Sequence, residues 1–158
     1  VSARKFSMVS PSIWRSQRFR RLSERAKLLQ LYFITCSHQN SSGCFAVPDL
    51  YVCADLGWDL SEYQPARQEL SDSGLIVFSP DTSTVFVRNW FKHSGPSNDK
   101  HAQGTLRVIG EIEDEAVRLI VEDEFSEAEE KRKPSSQTTP GASDRLLQPP
   151  IVAVRRTY

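Results

Sequence analysis

The apolar positions of this chain change period along its length, and the changes mark its elements. Leu22, Ala26, Leu29, Phe33 and Cys36 recur at helical spacing, so the pattern predicts a first helix from Ser23, as N-cap, to about Cys36. Leu28, Leu31, Tyr32 and Ile34 make its second half apolar nearly all round, which predicts a helix central to the core. Ser37 to Gly43 is a polar loop, and Cys44 to Val47 a short strand. Pro48 opens a second helix at its first position, and Gly57 ends it. A third helix runs from Ser61, paired with Gln64 as a capping box, to about Ser73, with Tyr63, Ala66, Leu70 and Gly74 facing inward. The period then falls to that of strands: Leu75 to Phe78 and Val85 to Arg88 flank the polar turn at 79–84.

Phe91 to Lys100 reads as a loop. A fourth helix is expected over 100–125, its stripe made by Leu106, Ile109, Ile112, Ala116 and Ile120. Gly104 and Gly110 each weaken it by about 1 kcal/mol relative to alanine. Ahead of the first helix, residues 1–21 form a basic arm anchored by Phe6, Met8, Ile13 and Trp14, with Pro11 breaking any helix and with Trp14 and Phe19 packing on the first helix. From Ser126, serine, threonine, proline, glutamine and lysine dominate, which predicts a disordered tail over 126–158. Ile151 to Arg156 is a β-prone end suited to docking on a sheet edge. Helix, tight turn, helix and hairpin over Asp49 to Trp90 together predict a winged helix-turn-helix over 22–93. The fold class is α+β, mainly α, with an added C-terminal helix.

Composition adds partition rather than bias. The 158 residues balance 20 Lys and Arg against 20 Asp and Glu. Yet residues 1–30 carry eight bases against one acid (net +7), residues 111–130 ten acids against Arg118 (net −9), and residues 131–158 six bases against Asp144 (net +5). A basic arm points to a polyanion, and an acidic helix to a basic partner or to self-association. At 39% hydrophobic, the apolar share is slightly low, which fits a non-globular portion. No apolar run is long enough to span a membrane, and no signal peptide is visible. Val1 in place of a methionine fits a processed or trimmed start or a fragment boundary. Three cysteines, an odd set inside apolar patterns, suit free thiols in a reducing cytoplasm.

No catalytic fingerprint is found, so neither an enzyme nor a cofactor is expected. Cys36, His38, Cys44 and Cys53 match no common zinc spacing, and no metal is expected. The chemistry that remains is that of nucleic-acid contact. The outward face of the third helix carries Ser61, Gln64, Pro65, Gln68, Glu69 and Asp72. Gln64 and Gln68 suit adenine edges, Arg67 can snorkel to a phosphate, and Thr82 and Ser83 at the hairpin turn suit the backbone. Glu62, Glu69 and Asp72 repel phosphate, so this helix alone is a poor electrostatic footprint. A stronger one is the set Arg15, Arg18, Arg20 and Arg21 before the first helix, with Arg88, Lys92, His93, Lys100 and His101 after the hairpin. Trp14, Trp90 and Phe91 lie among these charges, as core anchors or as stacking platforms for bases.

One resemblance rests on particular residues. Ile13-Trp14-Arg15-Ser16, Phe19-Arg20-Arg21-Leu22-Ser23, Ala26-Lys27-Leu28-Leu29, Gly43-Cys44-Phe45, Asp55-Leu56-Gly57-Trp58, Gly74-Leu75-Ile76 and Asn89-Trp90-Phe91-Lys92-His93 carry it. Over about residues 5–125 the chain resembles the N-terminal winged-helix domain of phage and prophage replication proteins, the replisome organisers and DnaD-like helicase loaders. That resemblance implies binding to duplex DNA or a single/double-strand junction and recruitment of replication proteins. The alternative functions are a protein-interaction module, with a homodimer through 100–125, and a winged-helix transcriptional regulator.

Overall fold

Three serines divide the basic N-terminal stretch into helical steps. Ser10 accepts a hydrogen bond from the Ser12 N–H and opens a 3-10 turn over Pro11–Arg15. Ser16 accepts from Phe19 and opens α1, Gln17–Arg20; Ser23 accepts from Ala26 and opens α2, Glu24–Thr35. Each satisfies an amide that the first helical turn leaves unpaired. The computed structural model describes residues 6–133 and is mainly helical, with one small sheet. After α2 come β1 (Cys44–Ala46), α3 (Asp49–Leu56), α4 (Leu60–Asp72), β2 (Ile76–Ser79) and β3 (Thr84–Val87). Then follow α5 (Trp90–Ser94), α6 (Asp99–Gly110) and α7 (Glu115–Arg132).

The sheet is antiparallel in the order β1-β3-β2, with Cys44 opposite Phe86 and Val77 opposite Phe86 on the other side. All four residues of the central strand β3 are buried: it is flanked by β1 and β2, and α7 packs against both strands of the hairpin. That explains its unbroken Thr-Val-Phe-Val run. The face predicted for the first helix is the one buried: Leu22, Ala26, Leu29 and Phe33 are at most 5% exposed. Phe33, Tyr63, Leu70, Phe86, Val47 and Val52 join α2, α3, α4 and the sheet in one core. Each large apolar side chain there contributes about 1.5–3 kcal/mol by leaving water. Tyr32 donates to Asp55 at 2.7 Å and ties α2 to α3. Gly57, at φ 66°, ends α3 in the left-handed conformation that favours glycine.

Several expectations are corrected. The helix expected over 100–125 is two helices: α6 stops at Gly110, and Asp114 caps α7 by accepting from Val117 at 2.9 Å. The break rephases the stripe. Ala102, Thr105, Ile109, Val117, Val121 and Phe125 are buried, whereas Leu106 is half-exposed and Ala116 exposed. Residues 126–132, expected in the tail, are helical: α7 runs on to Arg132, held by ion pairs of Lys131 with Glu127 and of Arg132 with Glu129 and Asp99. Residues 134–158, with the docking end at Ile151 to Arg156, lie outside the described residues, as do Arg4 and Lys5.

The loop over 91–100 holds α5. Helix α4 is capped by Asp59, with Glu62 accepting from its amide at 3.0 Å, in place of the Ser61–Gln64 box. Pro48 is the N-cap of α3 rather than its first residue. Phe6 and Met8 are exposed and anchor nothing; Phe19 is the buried anchor, and Trp14 packs edge-on against it at 5.5 Å while staying mostly exposed. Leu28 is half-exposed, so α2 is not apolar-covered all round. Among the described residues no helix is long and apolar enough to cross a membrane.

Candidate functional site

Two buried aromatics fix the basic segment after β3. Asn89 adopts a left-handed conformation (φ 59°) and turns the chain out of the strand. Trp90 then enters the core and donates its indole N–H to the Ser41 carbonyl at 3.1 Å. Gly43 lies directly under that ring: a Cβ there would stand 2.3 Å from Trp90 Cγ, and its φ is +72°. Phe91 packs edge-on against Phe125 of α7 at 5.2 Å. With Trp90 and Phe91 inward, the next two residues of the turn, Lys92 and His93, are exposed. The reading of Trp90 and Phe91 as core anchors holds; neither is open for stacking in this arrangement, and Trp14 is the exposed aromatic of the three.

Arg88 and the N-terminal arm meet this segment. The Arg88 amide donates to the Leu75 carbonyl at 3.0 Å, setting the end of β3 beside the end of α4. Arg18 of α1 lies against the same corner, its guanidinium 3.7 Å from where a Cβ on Gly74 would stand. A groove of about 580 Å³ is lined by Ser16, Gln17, Arg18, Arg88, Asn89 and Lys92. It adjoins a pocket of about 290 Å³ that shares Ser16, Arg88, Asn89 and Lys92 and adds His93. Two basic stretches far apart in sequence thus line one concavity. Arg15, Arg20 and Arg21 are exposed on the same short arm. Lys100, on the first turn of α6, and Thr82 and Ser83, in the hairpin turn, are not among the residues lining the groove.

Some expected contacts are already committed within the molecule. Arg67 makes two 2.8 Å hydrogen bonds to the carboxylate of Asp49 and lies over the Phe78 ring at 3.7 Å. It is only 16% exposed and bridges α4 to α3 and the sheet. Gln68 donates to Asp72 at 2.8 Å, so its amide is tied along the helix. Ser61 and Gln64 are exposed, as expected of the outward face. The acids there are engaged as well. Glu62 pairs with Arg25 at 2.6 Å, and Glu69 accepts from both the amide and the hydroxyl of Ser23, at 2.7 and 2.6 Å. Glu69 is therefore not outward but a clasp holding α4 to the N-terminus of α2, where the helix dipole favours an anion.

Sequence reasoning missed Glu124. Taken as one of a solvated acidic row, it is 16% exposed, pairs with Arg88 at 2.6 Å and accepts the Asn89 amide at 2.8 Å. Burial raises its carboxyl above the ordinary value, opposed by the Arg88 charge and the Asn89 amide. No local pattern marks it, because its partners lie on another element. Ser16, Gln17, Gln30 and Asn89 were missed because the concavities they line exist only where separate elements pack together. The cysteines are free and buried, and burial pushes the Cys44 thiol up to about 12, so it packs as a small neutral hydrophobe. Comparison with known protein families, with curated proteins and with solved structures finds no match to this chain.

Proposed function

We propose that the protein is a cytoplasmic DNA-binding module built on a winged helix-turn-helix, of the kind phage-type replication proteins use for initiation and replisome organisation, acting without catalysis. What supports the architecture is the order α2, β1, α3, α4, β2, β3, with β1 paired to β3 and a three-residue turn between α3 and α4. What carries the functional reading is one observation: Arg18 from before the module and Arg88 and Lys92 from after its hairpin line a single groove. Arg15, Arg20, Arg21 and His93 extend the exposed basic set around it. Such a set neutralises several phosphates and releases their counterions. Contact through the arm and the post-hairpin segment suits a protein that follows the backbone.

The test is a mobility-shift titration on duplex, junction and single-stranded DNA at rising salt. Binding that weakens steeply with salt and is lost with the arm arginines supports the proposal. Absence of binding to all three DNAs at low salt would sink it and leave a protein-interaction module.

A further inference from the structure

We infer that the pocket beside the basic groove takes one unpaired base of a DNA strand whose phosphates lie along the groove. This rests on the nucleic-acid reading above and adds to it a class of substrate, single-stranded DNA, and a site. The pocket is about 290 Å³, at the lower end of ligand sites, which run from about 300 Å³ upward. That suits one base and excludes a cofactor of dinucleotide size. Its apolar walls include Ile13, Phe19, Ile34 and Val87, drawn from the arm, α2 and β3. Gln30 of α2 also lines it, is 5% exposed, and has an amide oxygen with no hydrogen-bond partner among the described residues.

That oxygen has almost no accessible surface in this arrangement, so a donor in the pocket meets it once the Gln30 amide turns outward, a turn that breaks no hydrogen bond among the described residues and relieves an unsatisfied acceptor. Unpaired bases bring such donors, the ring N–H and exocyclic amines on their Watson–Crick edges. Duplex bases keep those edges paired and stacked, so the occupant is an unpaired one. Charge complementarity fixes the rest of the ligand. Arg88 and Lys92 belong to both the pocket and the groove, and His93 joins them at the pocket while Arg18 joins them at the groove. A nucleotide with its base among the apolar walls would have its phosphate, and the next one, among these cations. Binding of this kind tolerates any base, because the apolar walls accept every base face and each base carries a donor.

The experiment compares the full chain's affinity for a single-stranded oligonucleotide with its affinity for an abasic strand of equal length and charge, with the matching duplex and with a free mononucleotide. The base-bearing strand is expected to bind about tenfold or more tightly than the abasic one. Ser12→Phe, at an exposed position that lines the pocket, should bring that ratio close to one while leaving duplex binding unchanged. Gln30→Leu should lower the ratio severalfold and leave the melting temperature unchanged or higher, since it replaces an orphan polar group with an apolar one. Equal affinity for base-bearing and abasic strands, a ratio unmoved by Ser12→Phe, or a mononucleotide binding as tightly as the strand would each overturn the pocket. Duplex binding without single-strand binding would also overturn it and leave the wider DNA reading standing. Failure to bind any DNA would remove both.

Discussion

Helix α4 and the groove beside the arm both carry polar and charged side chains, yet the fold treats them oppositely. On α4, Arg67 is held by Asp49, Gln68 by Asp72, Glu62 by Arg25 and Glu69 by Ser23. In the groove, Arg88 alone is tied by a carboxylate, and Arg18 and Lys92 form no ion pair among the described residues. An internal partner competes with a ligand for a charge, so Arg18 and Lys92 are the more available cations and Arg88 the restrained one. Helix α4, a poor electrostatic footprint already in sequence, has most of its charges held within the fold, whereas the arm keeps Arg15, Arg18, Arg20 and Arg21 exposed.

The largest effect that separates the two regions is on affinity. Arg18→Ala, Arg20→Ala and Arg21→Ala together should weaken DNA binding about a hundredfold at low salt and reduce the slope of log affinity against log salt by about 3. An unchanged slope would return the reading to α4. Next, Arg67→Ala should lower stability by about 2 kcal/mol, because Asp49 loses its partner and Phe78 its stacked guanidinium. The urea midpoint checks this, and a stable variant with weakened DNA binding would reverse the comparison.

Glu124 offers a smaller and sharper probe. Its carboxyl is raised above the ordinary 4.5, chiefly by burial. The stability it contributes is therefore fully present below that value and is lost as pH rises through the raised one. Glu124→Gln is neutral throughout, so its stability relative to the parent should climb across that window in denaturation at stepped pH. The same change frees Arg88 and should raise DNA affinity severalfold at neutral pH; a fall would mean that Glu124 orients Arg88 for binding rather than restraining it. Smallest of all, Gln64→Ala with Gln68→Ala should alter affinity less than about twofold and stability by less than about 0.5 kcal/mol. A loss comparable to that of the arginines would make α4 the reader after all.

Much of the fold was legible where the signal is local. The α2 stripe, the Gly57 stop, the inward face of α4 and the hairpin follow from spacing, capping and turn chemistry within a few residues. The site was legible in part. The basic arm and the post-hairpin segment stand out by charge alone, and the structure brings Arg18, Arg88, Lys92 and His93 to one concavity. Failures came where a distant partner decides. Arg67 reads as a free cation until Asp49 is placed beside it, Glu124 as one of a solvated row until Arg88 and the Asn89 amide reach it. The continuous helix over 100–125 failed because Asp114 caps a new start that lets α7 fold back along α6 and the hairpin.

By itself, the sequence determined the helices and strands from α2 to the hairpin, the inward faces of α2 and α4, and that positive charge gathers on either side of the central module. These are consequences of backbone preference and side-chain period, fixed within a turn or two of chain. Only the tertiary structure decided which charges stay available and that the two basic stretches share a groove beside a pocket lined by Gln30. Ion pairing and concavity depend on distances between elements, and those are set by how Trp90, Phe91 and Phe19 fill the core.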